Sequence, residues 1–206
     1  MILTPIPREQ LAAALDRFAG QLDEPVARTA FARIRATSPE RARGAAAEAH
    51  RRQALALARR CGMAIHPAGV RSPFNWDGAA LDGATEAYVI LHEAAHFVLA
   101  PPERRGLIDF GLGPGPDTAE RAAAERAAIL PIPERDADEA AASLLGILWE
   151  AALGQPALAS FLDQNWLEGL DRSAAPHFTA VLRRLGVVET ALPSSGECQA
   201  PMREMR

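Results

Sequence analysis

The sequence predicts a mainly α-helical protein with at most a few short strands. Apolar residues recur at three- and four-residue spacing near the start of the chain, and a helix-start signal follows at residues 38–40. The stretch 63–82 is interrupted by glycine and proline and leaves room for one short strand at 63–66. With 206 residues the chain can bury a core. We expect a single domain over 1–191 and a disordered tail over 192–206.

Three helices are predicted in the N-terminal region, which spans 8–61. The first covers 8–22, where leucine and phenylalanine residues form an amphipathic pattern, and the second is expected across 24–35. Ser38 has the character of an N-cap, and Pro39 suits the first helical position. This signal predicts a third helix that runs to Arg60.

Further helices are predicted after the interrupted stretch 63–82. The first of them should end at Pro101 and Pro102, because proline lacks the N–H that a helix needs. A Gly/Pro-rich turn and the apolar segment ILPIP flank a short helix rich in Ala, Glu and Arg. The remaining predicted helices, in chain order, cover 83–100, 134–153, 156–170 and 173–186.

Composition and charge exclude several classes of function. The net charge is -4 and the pI is near 5.8, which argues against a surface for nucleic acid or for anionic membranes. The two cysteines, Cys61 and Cys198, form neither a disulfide framework nor a cysteine-based metal motif. The N-terminus lacks a signal-peptide pattern, and no run of about 18 apolar residues occurs. The sequence therefore predicts a cytoplasmic protein without nucleic-acid or membrane partners.

The segment LHEAAHFVLA, residues 91–100, carries the strongest functional signal. On an α-helix His92 and His96 lie about 40° apart around the axis and can give two imidazole nitrogens to one metal. Glu93 lies at the edge of that site, where its carboxylate can reach a water near the metal; this is the HExxH arrangement. Two buried imidazoles and a carboxylate would be costly without partners, so the pattern favours a metal site.

Such a site needs a third protein ligand, and the segment PERDADEAAASLLGILW is the best source. Glu134 opens this helical segment and is predicted to bind the metal, while Asp138, one turn later, would accept the outward N–H of a ligand histidine. Asp136 and Glu139 are interpreted as ordinary acids that favour the start of a helix.

Other candidates for the site are weaker. Asp109 and Glu125 are reserve ligands, and Asp109 is otherwise expected to lie next to the metal ligands. His66 and His177 could each reach the metal but are expected to be surface or locally bonded residues, and His50 is expected at the surface of an Arg-rich helix.

The segment LHEAAHFVLAPPERRGLIDFG resembles the elongation factor P hydroxylase family. That family carries HExxH, a short apolar run, a pair of arginines and Asp-Phe-Gly, which correspond here to residues 92–96, 104–105 and 109–111. The stretch QNWLEG, residues 164–169, is similar to a later motif of the family, so that the resemblance covers roughly 88–170.

The resemblance implies oxidative hydroxylation of a modified lysine on elongation factor P, or of another protein substrate, by non-haem iron. His92, His96 and Glu134 would hold Fe(II), since two histidines and one carboxylate leave open positions for dioxygen and substrate. Glu93 would orient water or move a proton near the metal.

The sequence leaves more than one role open for the two arginines of this segment. Arg104 and Arg105 could anchor Asp109 or an acidic part of the protein substrate, or they could lie in a solvated turn.

Two alternatives to the hydroxylase stay open. The segment ERDADEAAASLL looks like the glutamate helix of small HExxH zinc metallopeptidases, in which Zn(II) polarises the peptide carbonyl and Glu93 would act as general base. Alternatively, the metal could be a non-catalytic clamp between two helices, with His66 as a fourth ligand.

Overall fold

The structure is a computed structural model that describes residues 6–115, 118–167 and 174–186. Helices dominate these residues, and the β-structure among them is limited to two isolated bridges, which join Leu81 to Ile65 and to Trp76. The mainly helical class predicted from the sequence is confirmed.

The described residues contain nine α-helices and one short 3₁₀ helix. In chain order these are α1 (Arg8–Gly20), α2 (Pro25–Arg35), α3 (Gly44–Arg60), α4 (Ala87–Leu99), α5 (Pro102–Arg105), the 3₁₀ helix (Ile108–Gly111), α6 (Arg121–Ala127), α7 (Ile132–Ala152), α8 (Ala157–Asp163) and α9 (Ala174–Leu185).

The start of α3 differs from the prediction, because Ser38 does not act as its N-cap. The Ser38 hydroxyl instead accepts a hydrogen bond from the backbone N–H of Glu40 at 3.0 Å, which forms a local turn. The Ser38 carbonyl accepts the N–H of Ala159 at 3.2 Å. These bonds hold the segment outside the helix, which begins only at Gly44.

Other boundaries also differ from the sequence-based expectations. α4 begins at Ala87 rather than at residue 83, since the Asp82 carboxylate accepts the N–H of Ala84 at 2.9 Å and forms a turn there. The chain re-enters a helix, α5, directly after Pro101, with Pro102 at a first-turn position that tolerates proline. α8 ends at Asp163, and the last residues of the helix predicted over 156–170 lie outside the described residues, as does the predicted tail.

The described chain groups into two compact units. One combines the chain up to Ala42 with the chain from Ile147 onward, and the other is formed by Arg43–Gly146. The boundary falls inside α7, which is continuous from Ile132 to Ala152. The expectation of one domain over 1–191 stays a prediction.

The first unit is organised around an aromatic cluster. Phe18 of α1, Phe31 of α2, Phe161 of α8 and Phe178 of α9 are all buried, and their ring centroids lie 4.7–6.5 Å apart. All six pairs of these rings meet edge to face or tilted, and the ring quadrupole favours such arrangements over a face-to-face stack. The cluster explains why four short helices assemble there.

A buried carboxylate lies beside this cluster in the same unit. Glu150 is 2% exposed, and its Oε1 lies 3.5 Å from Nη1 of Arg41. Arg41 also donates to the Ser160 hydroxyl at 2.7 Å and to Asp163 at 2.9 Å. Burial raises the pKa of Glu150 to about 7, although Ser160 and Arg41 act in the opposite direction.

The second unit places α4 where α3 and α7 can cover it. α4 buries Val89, Ile90 and Leu91. Gly146 of α7 has no side chain to keep the helices apart, and a Cβ placed on it would lie 3.2 Å from both the Cα and the backbone N of His92. The close approach brings α7 directly beside the HExxH motif.

None of the helices formed by the described residues is long and apolar enough to cross a bilayer.

Candidate metal centre

The two histidines of the HExxH motif converge on one point. Both lie on α4, and the Nε2 atoms of His92 and His96 are 3.0 Å apart. The ring of His96 is also stacked on the ring of Phe110, with centroids 5.5 Å apart. This geometry follows from the helical period, which places residues four apart on the same face.

Glu139 of α7 supplies the third donor atom. Its Oε2 lies 3.4 Å from Nε2 of His92 and 3.4 Å from Nε2 of His96. These residues are a cluster of the kind that can hold a metal ion. Glu139 lies seven residues before Gly146, so both are on the same face of α7, two turns apart. The close approach at Gly146 therefore turns Glu139 toward the histidines.

The spacing of the three donor atoms fits a first-row metal ion. A circle through atoms separated by 3.0, 3.4 and 3.4 Å has a radius of about 1.9 Å, slightly less than the roughly 2.0–2.1 Å of a Zn–N or Zn–O bond. One such ion could thus be held by all three atoms together. Two imidazoles and one carboxylate also form a donor set that Zn(II) and Fe(II) both accept.

The third donor of this cluster is not the residue that the sequence predicted. Among the described residues Glu134 does not join the cluster; it is exposed in the first turn of α7. Glu134 lies five positions before Glu139, which corresponds to about 140° around the helix axis. Glu134 therefore lies away from the face that approaches α4. Glu139, interpreted from the sequence as an ordinary acid, takes the position expected for Glu134.

Glu93 lies beside the cluster as a buried carboxylate. It is 7% exposed, and its Oε1 accepts a hydrogen bond from Nδ2 of Asn75 at 3.2 Å. Burial raises the pKa of Glu93, while the two histidines and Asn75 oppose this effect. Sequence reasoning missed Asn75, because it lies in a loop with no recognisable motif.

The charges of the cluster shift the pKa values of its members. Burial would raise the pKa of Glu139, but the two imidazoles outweigh it and hold the pKa well below its ordinary value. Burial would lower the pKa of His92, yet the hydrogen bond and charge of Glu139, together with Glu93, raise it. The Glu139 side chain is 49% exposed, so solvent screens part of this attraction. The cluster is thus an ionic arrangement that is open to solvent on the side of Glu139.

Asp109, predicted as a neighbour of the metal site, lies close to Glu93. Its Oδ2 accepts a hydrogen bond from the Thr118 hydroxyl at 2.9 Å. Burial and the charge of Glu93 raise the pKa of Asp109 to about 6. Asp109 and Phe110 have φ angles of 44° and 55°, a left-handed conformation that non-glycine residues rarely adopt. This bend turns both residues toward the site.

The two arginines of the predicted motif have different partners. Arg104, for which Asp109, an acidic part of the substrate and a solvated turn were all considered, is buried, and its Nη2 donates to Oδ2 of Asp138 at 2.5 Å. Arg105 donates to the carbonyl of Ala100 at 3.0 Å and covers the ring of Phe97. The expectation that Asp138 orients a ligand histidine stays a prediction.

The remaining candidates lie in local contacts. His66 shares a hydrogen bond of 2.7 Å with Asp77. Glu125, a reserve ligand, pairs with Arg135 at 3.3 Å, and His177 is stacked on Trp166. His50 is half-buried on α3. Among the described residues, none of these candidates belongs to the cluster with His92 and His96.

The fold and this cluster define a helical protein with a candidate His-His-Glu metal centre. Comparison with known proteins does not refine this class, since no family model, curated protein or solved structure matches the chain.

Proposed function

We propose that the protein is a metal-dependent hydrolase of the HExxH type that cleaves peptide bonds in a protein substrate. The observation that supports this proposal is the convergence of His92, His96 and Glu139, with donor atoms 3.0–3.4 Å apart, beside the buried carboxylate of Glu93. Three protein donors and an adjacent base are the groups that such hydrolysis needs.

Each residue has a distinct role in this proposal. His92, His96 and Glu139 would hold the metal, which would supply positive charge to polarise a carbonyl and acidify water. Glu93 takes a proton from the attacking water and later delivers it to the leaving amine. Asn75 donates to Oε1 of Glu93 and so fixes the orientation of this carboxylate.

A catalytic role is favoured over a structural clamp. A structural zinc site usually has four protein ligands, whereas a catalytic site has three and an open position. In the part of the chain that the structure describes, three donors come together. His66, the residue considered as a fourth ligand, is bonded to Asp77, and Glu139 is half exposed, so the site can be reached from solvent.

A non-haem iron hydroxylase is the second candidate. It is favoured by the donor set itself, because two histidines and one carboxylate suit Fe(II) with open positions for dioxygen and substrate. A modified lysine of elongation factor P would then be the substrate. That resemblance expected the carboxylate at Glu134, whereas the cluster uses Glu139. The hydrolase also gives Glu93 a required function, so we rank it first.

The metal content and the activity of Glu93→Gln test the proposal together. Protein purified without oxygen and without chelator should contain one zinc per chain and should cleave a denatured, fluorescently labelled protein. Glu93→Gln should keep the metal and lose cleavage by a factor of roughly 100 or more, because the base is gone.

Two results would change the assignment. Stoichiometric iron, together with a mass gain of about 16 Da on elongation factor P in air, would support the hydroxylase, whose open positions admit dioxygen. A chain that retains no divalent metal would remove both candidates.

A further inference from the structure

An ion pair between the buried Arg104 and the partly buried Asp138 lies directly beside the third donor of the metal centre, and we propose that it positions Glu139. This inference rests on the proposed metal site. Arg104 of α5 is 8% exposed and donates through Nη2 to Oδ2 of Asp138. Asp138 is the residue that immediately precedes Glu139 on α7. The pair therefore joins α5 to α7 at the turn that carries the metal ligand.

The N-terminal part of α7 gains little from apolar packing. Ile132 is 69% exposed, and Glu134 and Asp136 are also exposed. The first buried residues of this helix are Ala141 and its neighbour, which follow Glu139. Packing at Gly146 sets the overall rotation of α7, and a directional contact at Asp138 can fix the position of the first part of the helix, where packing is sparse. Rotation of α7 by a few degrees would move the Glu139 carboxylate relative to both imidazoles.

Stability alone does not explain this ion pair. Nη1 of Arg104 is buried and finds no hydrogen-bond acceptor among the described residues, and such an unpaired donor costs free energy. A buried ion pair is generally no more stabilising than a pair of apolar side chains of similar size, because both charges must be desolvated. The defined direction of the Arg104–Asp138 contact is what an apolar pair would not provide.

The test compares zinc affinity with stability in the full-length chain. Zinc affinity is measured by competition with a chromophoric chelator, and the stability of the metal-free protein by urea unfolding. The double variant Arg104→Met/Asp138→Leu removes one charge of each sign, so the net charge near the site is unchanged. We expect its unfolding midpoint at or above that of the wild type, but a zinc affinity roughly 10–100-fold lower.

Two single variants sharpen the result. Removing a cation near a metal site would, by electrostatics alone, tighten zinc binding, whereas Arg104→Met should weaken it if the position of Glu139 is lost. Arg105→Met is the matched control. It removes the adjacent arginine, which contacts Ala100 and Phe97 instead of α7, and should bind zinc like the wild type.

The outcomes separate the two proposals. Zinc binding by the double variant or by Arg104→Met at wild-type affinity or tighter would overturn the positioning role and leave the metal centre intact. Failure of the wild-type protein to bind zinc would overturn the proposed function and this inference with it.

Discussion

The choice between Glu139 and Glu134 is the sharpest question at the scale of single residues. Glu139→Ala should reduce zinc affinity by more than about 100-fold, since a direct ligand matters more than the outer partners that typically contribute 10–100-fold. Glu134→Ala is the matched control on the same helix and should bind zinc normally. Equilibrium zinc titration measures both. Loss of zinc in the Glu134 variant alone would return the assignment to the residue that the sequence favoured.

Part of the site could be predicted from the sequence, because three of its residues lie close together on one helix. The spacing of His92, Glu93 and His96 within one helix is enough to predict that two imidazoles meet beside a carboxylate. Asn75 could not be predicted, since its contact with Glu93 depends on how a loop of 63–82 folds over α4. The third ligand also depends on a long-range relation, the rotation of α7 against α4.

At the scale of helices, the contact between α4 and α7 explains why α7 turns Glu139, and not Glu134, toward the two histidines. Gly146 lies against the backbone of His92, and Ala142, one turn earlier, is completely buried. Gly146 shares a face of α7 with Glu139 and not with Glu134, which lies about 120° away around the helix axis. The sequence did contain this signal, as a row of small residues at helical spacing. Its meaning depends on knowing which helix packs against that row.

Gly146→Ala tests the importance of this close approach. Its Cβ would meet His92 backbone atoms at 3.2 Å, which is tighter than ordinary contact. The resulting overpacking should cost about 1–3 kcal/mol and outweigh the gain of roughly 1 kcal/mol from the higher helix propensity of alanine. We expect a lower urea midpoint and weaker zinc binding, as α7 shifts away from α4.

The matched control for Gly146→Ala is Gly20→Ala. Gly20 ends α1, and a Cβ placed there meets nothing within 4 Å. This variant should be neutral or up to about 1 kcal/mol more stable, because alanine restricts the unfolded chain. Equal effects of the two substitutions would contradict the proposed role of Gly146.

The helix boundaries show the same limit of local reasoning. Serine is a residue type that N-caps prefer, but the Ser38 carbonyl accepts a hydrogen bond from the N–H of Ala159, a residue more than one hundred positions away. Local propensity predicts that a helix exists in this region, and a distant partner decides where it begins.

At the scale of the whole molecule, ionisation of Glu150 should make the stability of the folded protein depend on pH. Its pKa is raised to about 7 in the folded protein, above the ordinary value of 4.5. Between these values the folded state binds more protons than the unfolded state, so stability falls as the pH rises. The loss should approach a few kcal/mol by pH 8, and it should be absent below about pH 4.5.

Urea unfolding of the metal-free protein between pH 5 and pH 8 measures this effect. Glu150→Gln should lose less stability over that range than the wild type, because the amide does not ionise. Glu125→Gln, which changes a glutamate with a 60% exposed side chain, is the control and should keep the wild-type slope. Identical slopes in all three proteins would show that Glu150 stays ionised throughout this range.

The half-exposed position of Glu139 also determines how a metal ion would enter and leave. The His96 side chain is only 6% exposed and cannot turn away without disturbing the interior. The His92 side chain is 22% exposed, and the Glu139 carboxylate, at 49%, is the most exposed of the three and can rotate into water. Loading and release would therefore begin at this side chain, and rotation of an exposed side chain is fast compared with unfolding. The folded protein would exchange its metal with the surroundings, and its occupancy would follow the free metal concentration around it.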